Sequence, residues 1–123
     1  MYNPYSLFGK TILVTGASSG IGQATAIECS RMGATLVLTG RNEERLLETY
    51  NSLETEGQVH QIFTADLSSA DGISALVTKL PQLDGCVNNA GIGKTLPIPF
   101  ISWDELDRIY CLNSFAPMLL TKE

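Results

Sequence analysis

Thr11-Ile12-Leu13-Val14-Thr15-Gly16-Ala17-Ser18-Ser19-Gly20-Ile21-Gly22 is the stretch on which the fold turns. Ile12, Leu13 and Val14 are continuous rather than alternating, which suits a strand covered on both faces, as in a parallel sheet. Gly16, Gly20 and Gly22 then punctuate a turn, and a helical periodicity starts at Ile21. A pyrophosphate needs a backbone approach that a Cβ would obstruct, and it gains from the N–H groups and positive end of a helix start. The three glycines, with Ser18 and Ser19 between them, meet that need. A tight strand-to-helix turn would also use glycine, but the strand before and the helix after favour phosphate.

Working outward, the apolar runs Thr11 to Thr15, Thr35 to Thr39, Val59 to Ala65 and Leu83 to Asn88 start 24 residues apart. The gaps between them carry helical patterns. Ile21, Ala24, Thr25, Cys29 and Met32 form one stripe, closed by Gly33; Leu46, Leu47, Tyr50 and Leu53 form another, closed by Gly57. Ile73, Leu76, Val77 and Leu80 follow a cap at Ser68 or Ser69 and end before Pro81. Ser102-Trp103-Asp104-Glu105 has capping-box spacing, after which Leu106, Ile109, Tyr110 and Asn113 share a face. Leu96 to Phe100 reads as the loop leading into that helix. Alternating βα units of this kind predict an α/β fold, an open parallel sheet of the Rossmann type, as one domain over residues 1–123.

Composition narrows the partners. Thirteen acidic against eight basic residues, and a pI near 4.7, disfavour nucleic acid phosphates. No apolar run approaches the roughly 18 residues of a membrane span, and the N-terminus lacks a signal-peptide pattern, so no membrane role and a cytoplasmic location are expected. Charged residues make up 17% of the chain, below the roughly 25% usual for soluble domains, which points to missing chain or an oligomer. Cys29, Cys86 and Cys111 show no metal-ligand spacing and read as buried reduced thiols, with no metal site expected. His60, the single histidine, reads as an ordinary sheet or surface side chain.

The turn Thr15-Gly16-x-x-x-Gly20-x-Gly22 resembles the short-chain dehydrogenase/reductase family, and further landmarks follow in order. Asp66-Leu67 ends the third apolar run, where the resemblance implies an adenine contact; alternatively, Asp66 caps the following turn. Asn88-Asn89-Ala90-Gly91 matches the family's Asn-Asn-Ala-Gly motif, which steadies the sheet, with Asn89, Ala90 and Gly91 lining the cofactor cleft. The family topology implies strand order 3-2-1-4. Tyr110-Cys111-Leu112-Asn113 resembles the segment whose Asn is a catalytic residue, its carbonyl holding a water in a proton relay. Pro117 has no N–H to donate to that carbonyl four residues earlier. The alternative is an Asn bonded across to another strand, with Pro117 kinking the helix incidentally.

Gly40-Arg41-Asn42, at the end of the second run, bears on cofactor choice. An NAD-type site places an acid there for the ribose 2′-hydroxyl, whereas a 2′-phosphate needs a cation. Glycine at the acid's position and the planar fork of Arg41 favour NADP(H) over NAD(H), with Ser18 adding a hydroxyl. Arg41 paired with Glu44 or Glu48 is the alternative.

The family's downstream Ser and Tyr-x-x-x-Lys do not occur in these 123 residues. The chain is therefore expected to be the cofactor-binding N-terminal half of an NADP(H)-dependent oxidoreductase acting on an unknown carbonyl or alcohol, inactive alone. It would be a truncated form, a proteolytic remnant or a split gene product. A non-catalytic nucleotide-binding or interaction module is the alternative. Ser102 to Glu123 and an open fourth strand are expected to build a homo-oligomer.

Overall fold

The unbroken apolar runs become the strands of a parallel sheet. The structure is a computed structural model and describes residues 2–91, 99 and 101–122. The strands are β1 (Thr11–Thr15), β2 (Thr35–Gly40), β3 (Gln61–Thr64) and β4 (Gly85–Val87), in the order β3-β2-β1-β4. Their three pairings are parallel, and Leu13 of β1 lies between Val37 of β2 and Cys86 of β4. Leu13, Val14, Leu36, Val37 and Leu38 are at most 1% exposed. Consecutive residues point to opposite faces, so helices must cover both.

The helices are α1 (Gly20–Arg31), α2 (Glu43–Asn51), α3 (Ala70–Val77), α4 (Trp103–Tyr110) and α5 (Ala116–Lys122). On one face, Val14, Leu36 and Leu38 pack with Ala26 of α1 and Leu46 of α2. On the other, Phe63 and Leu67 pack with Ile73 and Leu76 of α3 and with Leu112 and Ala116. Side-chain caps start α2, α3 and α4: Asn42 accepts from the Arg45 amide at 3.1 Å, Ser69 from Gly72 at 3.1 Å and Ser102 from Glu105 at 3.2 Å.

Several expectations need correction. The buried line of α1 runs through Gly22, Ala26 and Ser30, and Ile21 is 78% exposed. Small residues let the helix approach the sheet closely, which turns the bulkier side chain outward. In α2 the buried residues are Leu46 and Thr49, while Leu47 is 45% exposed; the helix ends at Asn51, before Gly57. Gly33 does follow the end of α1 in the left-handed region, at φ +101°. β3 starts later than the run from Val59 because His60 is buried and its Nδ1 accepts the Leu36 amide at 2.9 Å. That bond requires the proton on Nε2, which donates to the Glu54 carbonyl at 2.5 Å. Of the cysteines, Cys111 is buried and Cys29 half-buried, but Cys86 is exposed, lying on the outer strand of the described sheet. Leu96, Pro97, Ile98, Phe100 and Glu123 lie outside the described residues.

Candidate cofactor-binding site

β1 is where the strand order reverses, because β2 and β4 lie on its two sides. In an open α/β sheet, the crevice outside the carboxyl ends at such a point receives ligands. A cleft of about 740 Å³ opens there. Of the expected site residues, Gly16, Ser18, Ser19, Arg41, Leu67, Asn89, Ala90 and Gly91 border it; Gly20, Ile21, Gly22, Asp66 and Asn113 do not.

The corner between β1 and β4 is fixed by Thr15, which is 1% exposed. Its Oγ1 accepts the amides of Asn89 and Ala90, each at 2.9 Å, and donates to the Val87 carbonyl at 3.3 Å. Asn89 Nδ2 donates to the Gly16 carbonyl at 3.2 Å. The Asn-Asn-Ala-Gly segment is thereby bonded directly to the glycine turn. A Cβ on Gly16 would meet Ala90 Cα and Asn89 Nδ2, both at 2.9 Å, and one on Gly22 would collide with the Gly16 carbonyl oxygen. Gly20 has φ +58° with open space around its Cβ position. Two of the glycines are thus needed for packing and the third for backbone conformation. Ser19 precedes α1 without a side-chain cap bond, and the first turn carries no acid, unlike those of α2, α3 and α4. The positive end of α1 is therefore left to attract an anion beside Ser18 and Ser19.

Gly40, Arg41, Asn42 and Arg45 form the next wall. Arg41 makes no ion pair with a described residue, so pairing with Glu44 or Glu48 is not seen. Ser18 Oγ lies 3.5 Å from the point a Cβ on Gly40 would occupy. A hydroxyl and two guanidinium-bearing residues thus share one corner. Arg45 is not marked as a cleft residue by the sequence alone. It follows Arg41 by four residues inside the first turn of an Asn-capped helix, a signal visible only once the helix start is fixed.

Asp66 follows β3. Its Oδ1 accepts the Ser68 hydroxyl at 2.5 Å and the Ser68 amide at 3.0 Å. The Ser68 hydroxyl, then its amide, hold the carboxyl below the usual range; burial opposes this, and Arg41 and Arg108 add lesser support. Asp66 therefore does cap its own turn, through one oxygen. Cys111 Sγ lies 3.7 Å from the Leu67 carbonyl, and burial, then Asp107 and Asp66, push its thiol up, as suits a packing residue.

Between α4 and α5, residues Cys111–Phe115 form a π-helical turn, and the Ala116 amide donates to the Cys111 carbonyl. The wider turn ends at Phe115, two residues before Pro117, which cannot make the α-helical bond. Asn113 lies in this turn, its Oδ1 3.2 Å from the position a Cβ on Gly91 would take. Leu112, next to it, borders the cleft. Among the described residues no His, Cys, Asp or Glu cluster could hold a metal, and no helix is long and apolar enough to cross a membrane.

Comparison with known proteins agrees with this arrangement. Residues 10–123 match the family model for short chain dehydrogenase. The chain is 35% identical over 119 residues to the uncharacterized oxidoreductase YvaG of Bacillus subtilis, covering 95% of this chain and 45% of that one. It is 36% identical over 120 residues to the glucose 1-dehydrogenase of Gluconobacter oxydans, covering 94% and 45%. The chain thus spans about half the length of these curated relatives. A metagenomic short-chain oxidoreductase solved in complex with NADP superposes with a TM-score of 0.86 at 35% identity, over 94% of this chain and 54% of that one. With sheet order, glycine turn and Asn-Asn-Ala-Gly corner all inside the matched region, the chain belongs to the short-chain dehydrogenase family of oxidoreductases.

Proposed function

We propose that residues 1–123 form the NADP(H)-binding part of a short-chain oxidoreductase that reduces a carbonyl or oxidises an alcohol. The observation that carries this is the shared corner of Ser18, Gly40, Arg41 and Arg45, joined to a glycine turn that no Cβ could enter at Gly16 or Gly22. The nicotinamide of a bound dinucleotide would supply hydride chemistry. The chain's own residues divide the binding. Gly16, Ser19, Gly20, Ile21 and Gly22 present backbone and the positive end of α1 to the pyrophosphate. Ser18, Arg41 and Arg45 take the 2′-phosphate, for which a guanidinium fork suits and a carboxylate does not. Leu67 borders the adenine, beside the contact that the family resemblance implies for Asp66, and Asn89, Ala90 and Gly91 border the remaining length of the cleft. Asn113 stands beside Gly91, where the family resemblance implies the proton-relay carbonyl. With no Tyr-x-x-x-Lys in its sequence, the isolated chain has no general acid for the substrate oxygen.

Titrating the chain and its Arg41→Ala variant with NADPH and NADH tests the assignment. Loss of one charge-assisted contact at an exposed residue should weaken NADPH by about tenfold and leave NADH nearly unchanged. Unchanged NADPH affinity would refute the role of Arg41.

A further inference from the structure

One buried hydroxyl ties the glycine turn to the helix that carries Arg45. Thr49, in α2, is 0% exposed. Its Oγ1 lies 2.9 Å from the Ala17 carbonyl and 3.3 Å from the carbonyl of Arg45. A threonine hydroxyl has a single proton, so the shorter contact takes the greater share of it. The Ala17 amide donates to the Thr39 carbonyl at 3.2 Å. Ala17, between Gly16 and Ser18, is therefore held by β2 through its N–H and by α2 through its C=O. Thr49 is one helical turn beyond Arg45, which borders the cleft together with Arg41.

We propose that Thr49 is a positioning residue that sets the spacing between the glycine turn and the arginine wall, and thereby selects a dinucleotide carrying a 2′-phosphate. This rests on the proposed NADP(H) function. Both dinucleotides would engage the turn through their pyrophosphate, whereas only one carrying a 2′-phosphate would add contacts to Ser18, Arg41 and Arg45. A planar fork grips phosphate only at matched distance and angle, so a small displacement of α2 weakens that contact and leaves the pyrophosphate contacts in place. Valine keeps nearly the shape of threonine, removes the donor and leaves the Ala17 carbonyl without its partner.

The test is a fluorescence titration of the chain and its Thr49→Val and Thr49→Ser variants with NADPH and with NADH, with urea unfolding alongside. Thr49→Val should lose about three- to tenfold in NADPH affinity and less than about twofold for NADH, the scale of one buried hydrogen bond. Thr49→Ser, which retains the hydroxyl, should restore the preference. An unchanged ratio, or an equal fall for both dinucleotides, would overturn the proposal, since a purely structural threonine changes stability without changing selectivity. If Thr49→Val does not fold, Thr49→Cys replaces it, with the same loss of preference expected. Failure of both to fold would assign the hydroxyl to stability and overturn the proposal. A wild-type chain that binds neither dinucleotide would overturn the proposed function itself; one that binds NADPH while Thr49→Val keeps its preference would overturn only the role of Thr49.

Discussion

The Asp66 carboxylate shows how a side chain at the end of a strand fastens its own turn. Ser68 engages Oδ1 twice, which stabilises the ionised form. Because the folded value is lowered, this contribution is complete above the ordinary carboxylate value near pH ~4 and is lost as pH falls through the lowered value. Asp66 is exposed, so solvent screening keeps the effect below ~1 kcal/mol. Urea unfolding from pH 7 to 3 should show Asp66→Asn less stable than wild type at pH 7, with the gap closing toward pH 3. A gap independent of pH would show that the ionised form is not what the turn stabilises. The turn cap at Asp66 was legible in the sequence because the residue ends an apolar run; Arg45 was not, since its relation to Arg41 appears only on a folded helix.

At the scale of elements, α1 depends on close contact with the turn before it. A Cβ on Gly22 would press on the Gly16 carbonyl and lie 2.5 Å from Asn89 Nδ2. Gly22→Ala should therefore destabilise the chain by about 1–3 kcal/mol, the scale of overpacking, measured as a fall in the urea midpoint. An unchanged midpoint would mean that the turn yields freely. The strands were legible because unbroken runs such as Leu36-Val37-Leu38 suit a doubly covered sheet, whereas their order was legible through the family resemblance. The start of β3 was hidden because the His60 ring accepts the Leu36 amide. The contact face of α1 is not legible in the sequence because it is made of Gly22, Ala26 and Ser30, which carry little hydrophobic signal. The π turn at Cys111–Phe115 was only half legible: Pro117 announced a missing bond, but not the wider turn beside it.

Across the whole molecule, the glycine turn, the arginine wall and the Asn-Asn-Ala-Gly corner meet at the switch point of one sheet. On the opposite side from α1 and α2, Trp103, Tyr110, Phe115 and Met118 remain 48–80% exposed. These exposed apolar side chains fall within the segment Ser102 to Glu123, on which the sequence analysis expects a homo-oligomer to be built. The assembled cleft is proposed to bind a dinucleotide and to prefer the one with a 2′-phosphate. Isothermal titration of the purified chain with NADPH and then with NADH measures this most directly. Saturable binding of one NADPH per chain, at least about tenfold tighter than NADH, is the predicted result; equal affinities, tighter NADH binding or no binding of either would contradict it.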